Sequence, residues 1–459
     1  MISELKPYAK YKASGLPWLG LVPEHWEVRP AFGAFMPNHE VNRGMQEKIV
    51  LSLSYGRIIV KPAEKLRGLV PESFETYQIV NPGDIVLRTT DLQNDHTSLR
   101  VGMVRNRGII TSAYLALRAK SGVNPEFGFQ FLNVWDSTKA IYGYGSGLRQ
   151  NLDFSHFKRM PVAVPPQAEQ ASIVRFLTSA SGRIERAIRS KRKVIALLIE
   201  QKQAIIHHAV TRGLDPNVAL KPSGVPWIGD IPSHWEMRPA FCVFDPKCEK
   251  NIGLTEKTVL SLSYGRIIVK PAEKLRGLVP ESFETYQIVN PGDIVLRTTD
   301  LQNDHTSLRV GMVRNRGIIT SAYLALRVKP GMNPEFGFQF LNVWDSTKAI
   351  YGYGSGLRQN LDFSHFKRMP VAVPPQVEQQ DIVMHLRSET SEIDRTIDRF
   401  KREVDLFQEY RSRVIADVVT GKLDVRDAAA KLPEDISIAA TFNEYLGDDK
   451  ETHDEEASE

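Results

Sequence analysis

Four clusters of polar side chains in the first half of the chain contain the residue types that bind nucleic acids. Arg pairs with guanine, Asn and Gln with adenine, and Asp with cytosine, whereas Lys, Arg, Ser and Thr bind phosphates. The candidate contact residues are Tyr55, Arg57, Lys61, Lys65 and Arg67; then Arg88, Thr89, Thr90, Asp91, Asn94, His96 and Arg100; then Arg105 and Arg107; and finally Tyr144, Arg149 and Gln150. These types predict non-covalent recognition of a polyanion.

The second cluster is the best candidate for reading bases, because it mixes donors, acceptors and small side chains between the apolar segments DIVL and GMV. The alternative is a solvated loop whose charges pair with one another. A contact to phosphate is a further alternative for each residue, since half or more of the hydrogen bonds in such interfaces go to the backbone. His96 could equally be a surface histidine.

No motif predicts catalysis. Gly143, Gly145 and Gly147 form a GxGxG run, but a nucleotide loop should follow a strand and open a helix with an acid downstream. Here AIYGY precedes the run and RQNLDF follows it, which favours a turn of the domain. The sequence has no NPPY, GxxxxGK[ST] or HExxH motif. Cys242 and Cys248 lie in no CxxC or His-rich setting, so neither a metal site nor a disulfide is predicted.

A near-perfect internal repeat carries all four clusters. Residues 50–167 recur at 259–376, and three of the 118 paired positions differ: Ala119/Val328, Ser121/Pro330 and Val123/Met332. A repeat of this length is a whole domain rather than a solenoid unit. The second set of candidate residues is Tyr264, Arg266, Lys270, Lys274, Arg276, Arg297, Thr298, Thr299, Asp300, Asn303, His305, Arg309, Arg314, Arg316, Tyr353, Arg358 and Gln359.

Charge is spread unevenly over the 459 residues. The net charge is +5, but residues 443–459 hold eight acids and one lysine, so residues 1–442 carry +12. A basic body indicates a polyanionic partner, and the acidic tail is predicted to be disordered. The N-terminus has no apolar core typical of a signal peptide, and no apolar run has the length of a membrane span. With two free thiols, these features predict a cytoplasmic protein.

Each repeat is predicted to fold as a mixed domain of strands and a short helix. The segments LSLSYGRIIVK, DIVLRTT and GIITSAYLALR are β-branched and are separated by Gly, Pro and Asn. FGFQFLNVWDSTKAIYGY favours a short helix. Each half opens with a turn-rich segment, SGLPWLGLVPEHWE and SGVPWIGDIPSHWE, whose Trp residues should anchor it by burying apolar area.

A long helix should follow each domain. Residues 184–209 and 393–418 show apolar side chains at alternating spacings of four and three residues, the pattern of a coiled coil. The seam positions are Ile184, Ile188, Lys191, Ile195, Leu198, Lys202, Ile205 and Ala209, with Ile393, Ile397, Phe400, Val404, Phe407, Arg411, Val414 and Val418. Only 16 of 48 positions match between residues 168–215 and 377–424, yet the seam is kept. The two helices could pair, or each could pack on its own domain.

These segments, in this order, resemble the specificity subunit of Type I DNA restriction–modification systems. The resemblance covers residues 10–427 and is carried by SGxPWxGxxPxHWE at each opening, GSGLRQNLDFSHFKRMPVAVPPQxEQ at each domain end, and VVTGKLDVR after the last helix. It implies an α+β chain with recognition domains at 1–167 and 214–376. It also implies spacer helices at 168–213 and 377–422 and a C-terminal segment at 423–459. The near-identity of the two domains departs from the family, whose members usually carry two different ones.

The resemblance also implies the partners. Each domain would read one half of an interrupted site in double-stranded DNA, and the helices would pair antiparallel. The subunit would bind no cofactor. It would recruit two methyltransferase subunits and two restriction subunits, on which S-adenosylmethionine, ATP and Mg would be bound. A stand-alone, repressor-like protein with two DNA-binding domains is the alternative function, and an enzyme acting on nucleic acid is disfavoured by the missing motifs.

Overall fold

The computed structural model describes residues 5–62, 73–90, 92, 98–144, 151–271, 282–299, 301–302, 307–353 and 360–433. The chain divides into two compact units. Unit 1 contains Met1–Ser190 together with Glu403–Glu459, and unit 2 contains Lys191–Arg402. Each unit therefore holds one copy of the repeat and one part of each long helix. The acidic tail lies outside the described residues.

Short antiparallel strands build unit 1. They are β1 (Tyr11–Ala13), β2 (Leu21–Pro23), β3 (Glu27–Pro30), β4 (Phe35–Pro37), β5 (Leu51–Ser54), β6 (Arg57–Val60), β7 (Gln78–Val80), β8 (Ile85–Arg88), β9 (Val101–Met103), β10 (Gly108–Ile110), β11 (Tyr114–Ala119) and β12 (Pro161–Val164). A four-stranded sheet has the order β4-β11-β8-β9, and the other strands pair as β1-β2, β5-β6, β10-β7 and β12-β3.

Unit 2 repeats this arrangement. Its strands are β13 (Leu220–Pro222), β14 (Asp230–Pro232), β15 (Glu236–Pro239), β16 (Phe244–Lys247), β17 (Leu260–Ser263), β18 (Arg266–Val269), β19 (Gln287–Val289), β20 (Ile294–Leu296), β21 (Val310–Met312), β22 (Gly317–Ile319), β23 (Leu324–Val328) and β24 (Pro370–Val373). The sheet order is β16-β23-β20-β21, with pairs β13-β14, β17-β18, β19-β22 and β15-β24.

Helices complete both units. They are α1 (Ala31–Ala34), α2 (Pro125–Ser137), α3 (Phe154–Phe157), α4 (Gln167–Arg212), α5 (Pro334–Ser346), α6 (Phe363–Phe366), α7 (Gln376–Val419) and α8 (Arg426–Ala430). Short 3-10 helices occur at Ala140–Tyr144, Ala240–Cys242, Ile252–Leu254, Phe283–Thr285 and Ala349–Tyr353. Among the described helices, none has both the length and the apolar character needed to span a membrane.

The helix α2 supplies the centre of the domain core. Asn124 caps it by accepting from the backbone N–H groups of Glu126 and Phe127, and Pro125 occupies the first turn, where its missing N–H costs nothing. Phe127 and Trp135 on its inner face are fully buried. The helix α5 is capped and packed in the same way, as the identical sequence requires.

The long helices α4 and α7 begin directly after Pro-Pro pairs, because proline is tolerated in the first helical turn and not within a helix. The helix α4 ends at Arg212, and Gly213 follows with φ of 73°, the left-handed conformation that closes many helices. The predicted bounds were 168–213 and 377–422; the observed helices start one residue earlier, and α7 ends three residues earlier.

The two helices pack together as an antiparallel pair, which confirms the predicted pairing over separate packing. Within unit 1, Arg411 donates to Glu185 at 2.6 Å. Within unit 2, Lys202 donates to Asp394 at 2.6 Å. The partner number falls as the residue number rises, so the helices run in opposite directions. Two of the three polar interruptions of the seam are thus paired charges, and the third, Lys191, lies with its Nζ 4.6 Å from the ring centroid of Phe400.

Candidate nucleic-acid interface

The tip of the β5–β6 hairpin presents an aromatic ring to solvent. Tyr55 and Gly56 form its two-residue turn with φ of 46° and 76°, the left-handed conformations that type I′ hairpins require. Tyrosine is unfavourable at positive φ, and such strain is concentrated at functional sites. The side chain of Tyr55 is 54% exposed. Arg57 is the first residue of β6, so an aromatic residue and a cationic residue lie two positions apart at the hairpin tip.

This hairpin packs closely on the edge strand β9. A Cβ placed on Gly102 would lie 2.5 Å from Cδ1 of Leu53 and 3.0 Å from Cδ1 of Ile58. At the tip, a Cβ on Gly56 would lie 3.1 Å from Cβ of Leu99. The turn of the first cluster therefore lies against the C-terminal end of the second.

Arg100 joins the two ends of the loop between β8 and β9. Its side chain is fully buried. Its Nη1 donates to the carbonyl of Thr90 at 2.7 Å and, more weakly, to that of Arg88 at 3.4 Å. These bonds close the base of the loop between β8 and β9. The side chain of Arg100 is therefore enclosed by its own domain in this structure, and its predicted contact with a ligand stays a prediction. Arg309 makes the same bonds in unit 2 and is likewise buried.

The buried carboxylate of Asp136 accepts a hydrogen bond from the backbone of Arg100. The backbone N–H of Arg100 donates to Oδ2 of Asp136 on α2 at 2.5 Å. Among the described residues, Oδ1 of Asp136 has no hydrogen-bond partner. Burial raises the pKa of Asp136, and it raises that of the equivalent Asp345 to about 6. The core helix therefore fixes the base of the polar loop.

The fourth cluster reaches the same end of the sheet. The backbone N–H of Leu152 donates to the carbonyl of Thr89 at 2.8 Å. Thr89 itself is buried, and its predicted contact with a ligand stays a prediction. Tyr144 packs edge-on against Trp135, with 5.6 Å between ring centroids, and burial raises its pKa. We call the end of the sheet where β8 ends and β9 begins the contact end.

The third cluster lies at the opposite end of β9. Arg105 forms a two-pronged ion pair with Glu126. Arg107 donates to Oδ1 of Asn81 at 2.6 Å and lies 3.4 Å from Glu47. The sequence clusters are therefore not one surface. The hairpin turn of the first cluster, the second cluster and the fourth cluster share the contact end, whereas Lys61 lies at the other end of the hairpin, on the side of the third cluster. Arg314 and Arg316 are paired in the same way in unit 2.

Several candidate residues lie outside the described residues. They are Lys65, Arg67, Asp91, Asn94, His96, Arg149 and Gln150, with Lys274, Arg276, Asp300, Asn303, His305, Arg358 and Gln359. Their role stays a prediction. Among the described candidates, Arg88, Thr90 and Tyr144 are partly exposed, as are Arg297, Thr299 and Tyr353. Thr298 is buried, and Lys61, Tyr264, Arg266 and Lys270 are exposed.

Sequence reasoning missed three exposed apolar side chains on and beside the β5–β6 hairpin. Ile59, Val60 and Leu99 are 38%, 50% and 38% exposed, and Leu99 touches the turn at Gly56. The run Ile58–Val60 was a usable signal, because neighbouring residues of a strand point to opposite faces and one face of a two-stranded hairpin points outward. Apolar contacts of this kind suit base methyl groups or deoxyribose.

Each domain is fastened to the first turn of its own long helix. Gln170 accepts from the backbone N–H of Asn124 at 2.7 Å and donates to the carbonyl of Gly122 at 2.9 Å. Glu169 accepts from the indole N–H of Trp26 at 2.8 Å and from the hydroxyl of Tyr8 at 2.6 Å. Burial, followed by this bond to Glu169, raises the pKa of Tyr8.

Unit 2 uses the equivalent side chains for the same attachment. Gln379 accepts from the backbone N–H of Asn333 at 2.6 Å, and Glu378 accepts from the indole N–H of Trp235 at 3.0 Å. The domain and the start of its helix are therefore joined alike in both units.

The fold matches solved structures. A chain reported in a study of the complex assembly and conformational transition of the type I R-M system superposes with a TM-score of 0.59 at 13% identity, covering 88% of this chain and 99% of that one. An HsdS subunit from Thermoanaerobacter tengcongensis and an S subunit from M. genitalium, each at 13% identity, give TM-scores of 0.41 and 0.34. They cover 88% and 86% of this chain, and 98% and 96% of their own. No protein-family model matches the sequence.

The fold, two mixed domains each joined to a long helix, is similar to that of the chain from the type I R-M study. At the level of fold, this likeness agrees with the resemblance to a Type I restriction–modification system stated from the sequence. Within the described residues, no group of three or more His, Cys, Asp or Glu side chains could hold a metal ion.

Proposed function

We propose that this chain is the DNA sequence-specificity subunit of a Type I restriction–modification complex. One observation carries the proposal: two near-identical domains, each with an exposed aromatic and cationic contact end, are hydrogen-bonded to the first turns of two antiparallel helices. The proposal is supported by the similar fold of the chain from the type I R-M study. Such a chain selects DNA and places catalytic partners on it, without chemistry of its own.

The DNA contacts belong to the contact end of each domain. Tyr55, Arg57 and Arg88, with the loop residues that follow them, face the duplex, and Lys61 lies further along the hairpin, after the end of β6. Aromatic and arginine side chains suit stacking and bidentate pairing, whereas Lys61 suits a phosphate. Arg100 supports the loop from within. The equivalent residues of unit 2 act on the second half-site.

The methyltransferase partners bind the outer faces of the helices. Leu197 in unit 2 and Leu406 in unit 1 occupy equivalent positions of the repeat and are 55% and 61% exposed. An exposed leucine repeated at equivalent positions is expected for one partner that binds twice. Two methyltransferase subunits would bind there, and two restriction subunits would join through them. These partners would hold S-adenosylmethionine, ATP and Mg in the cytoplasm.

The target is an interrupted inverted repeat. Identical surfaces prefer identical half-sites, and every candidate residue is present in both domains. Since each domain joins its helix in the same way and the helices run antiparallel, the two domains should read the half-sites in opposite orientations.

The test is reconstitution with a Type I methyltransferase subunit from the same host. We expect two such subunits per chain, with methyl transfer from S-adenosylmethionine to DNA only when both proteins are present. Methylation by the purified chain alone would contradict the proposal. Specific DNA binding without any methyltransferase association would instead support the repressor-like alternative.

A further inference from the structure

An apolar groove in unit 1 has no described occupant. It has a volume of about 280 Å³ and lies between α4, α7 and the segment that follows α8. Ala180, Ile184, Phe407, Tyr410 and Leu432 line it. Tyr410 is 42% exposed although an aromatic ring of this kind is usually covered. The groove is therefore an incomplete apolar contact surface.

The repeat provides an internal comparison, because the same helix positions exist in unit 2. There, Phe176, Ala180 and Arg183 are replaced by His385, Glu389 and Glu392, which are all exposed. On the facing helix, Tyr410 is replaced by Gln201, which is also exposed. Three apolar positions of the groove, Phe176, Ala180 and Tyr410, are thus polar in unit 2, and Arg183 is replaced by an acid. Ile184 and Phe407 keep the apolar counterparts Ile393 and Leu198, so the surface of unit 1 is the more apolar and the less acidic of the two.

This asymmetry argues against a partner that binds once to each unit. Such a partner needs the same chemistry at both places, as Leu197 and Leu406 provide. The occupant of the groove must instead occur once per chain and reach unit 1. One chain segment meets both conditions: the residues after Pro433, since Leu432 already lines the groove.

The sequence of this segment suits the groove. Ile438, Phe442, Tyr445 and Leu446 recur at positions i, i+4, i+7 and i+8, the spacing of one apolar helix face. Residues 434–459 contain ten acids and one lysine. Residues 168–190 of α4 hold four Arg and two Glu, whereas residues 377–399 of α7 hold three Arg and six acids. The charge of the segment therefore also favours unit 1.

We propose that residues 436–446 of this chain occupy the groove, with Phe442 packed among Phe407, Tyr410 and Ala180. The segment covers the unit 1 end of the helix pair and leaves the equivalent face of unit 2 polar and open. The interaction is intramolecular and requires neither DNA nor a methyltransferase.

Disulfide trapping tests the contact in the full-length chain. In a background with Cys242→Ser and Cys248→Ser, which removes both exposed thiols, Ala180→Cys is combined with Phe442→Cys. The matched control replaces Ala180→Cys by Glu389→Cys, the equivalent position of unit 2. Because a tethered segment has an effective concentration on the order of millimolar, the first pair should form a disulfide within the monomer, independent of protein concentration. The control pair should form about tenfold less.

Three results would overturn the proposal: equal cross-linking of both pairs, a disulfide found only between two chains, or no disulfide in either. The readout is covalent and uses no DNA, so failure here is distinguishable from failure of the proposed function.

Hydrogen exchange on chains without substitutions in the groove gives an independent test. A chain ending at Pro433 should exchange faster than the full chain in residues 176–187 and 404–411, and at the same rate in residues 385–396. Unchanged exchange in the first two segments, or protection that arises only on addition of a methyltransferase subunit, would assign the groove to another occupant.

Discussion

The backbone N–H of Arg309 donates a hydrogen bond of 2.5 Å to Oδ2 of Asp345, and Arg100 and Asp136 make the same bond in the other unit. Asp345 is fully buried. The guanidinium of the same Arg309 donates a second hydrogen bond, of 2.8 Å, to the carbonyl of Thr299. A carboxylate inside the domain is thus connected to the polar loop at its surface through a single arginine.

Asp345→Asn should change how stability depends on pH. Burial raises the pKa of Asp345 from 3.8 to about 6, so between these values the folded state binds more protons than the unfolded state. This group therefore contributes stability below about pH 4 that is lost as the pH rises through 6, by up to about 3 kcal/mol. The variant keeps the acceptor oxygen and should lose this pH dependence in urea unfolding at pH 4, 5 and 6.

Asp362→Asn is the matched control for this prediction. Hydrogen bonds from Ser364 and His365 lower the pKa of Asp362 to about 2, so its contribution is lost as the pH falls below 4 and lies outside the tested window. Equal pH profiles for Asp345→Asn and the unsubstituted chain would refute the prediction.

Arg309→Lys should relax recognition at one half-site. Lysine lacks the planar fork that lets Arg309 reach the carbonyls of Thr299 and Arg297, so the loop of unit 2 loses its shape while unit 1 is unchanged. Discrimination by that loop should fall by ~1–3 kcal/mol per base contact. In competition binding, the variant should tolerate one altered half-site and still reject DNA with both altered. Rejection of a single altered half-site at full strength would show that the arginine does not position the loop.

Gly102→Ala should displace the β5–β6 hairpin. The new Cβ would lie 2.5 Å from Leu53 and 3.0 Å from Ile58, and overpacking of this kind costs about 1–3 kcal/mol. Because the hairpin carries Tyr55 and Arg57, DNA affinity should fall together with stability. Gly33→Ala on α1 is the control, since a Cβ there would lie 3.5 Å from Cδ of Arg29, an ordinary contact. If thermal unfolding and DNA titration gave the same values for both variants, the hairpin would not depend on this contact.

Leu197→Asp and Leu406→Asp should each remove one methyltransferase subunit, and the double variant should remove both. A charge on an exposed apolar contact is desolvated when a partner covers it, which is costly. Light-scattering mass of the reconstituted complex measures the stoichiometry. Gln203→Asp, at an exposed polar position of α4, should leave it unchanged. Full stoichiometry in the double variant would exclude these leucines from the partner surface.

Much of this organisation is readable from the sequence, because repeats and heptads are global patterns. The seam positions of α4 and α7 are all buried or half-buried, and the interrupting Lys202 and Arg411 find acids on the facing helix. The fate of single polar residues is not readable in this way. Arg100 and Arg107 have the same side chain, yet one is enclosed and the other is exposed and paired with Asn81. Their environment depends on α2 and on the segment before β5, which no local pattern specifies.

Selection of bound DNA from a random-sequence duplex library, with the chain and its methyltransferase subunits assembled, tests the central claim most directly. Both domains carry the same candidate contact residues, and their helices run antiparallel. The account predicts a bipartite site: one short sequence, a gap of unspecified bases, and the reverse complement of that sequence. Two unrelated half-sites, a direct repeat or no enriched sequence would contradict it.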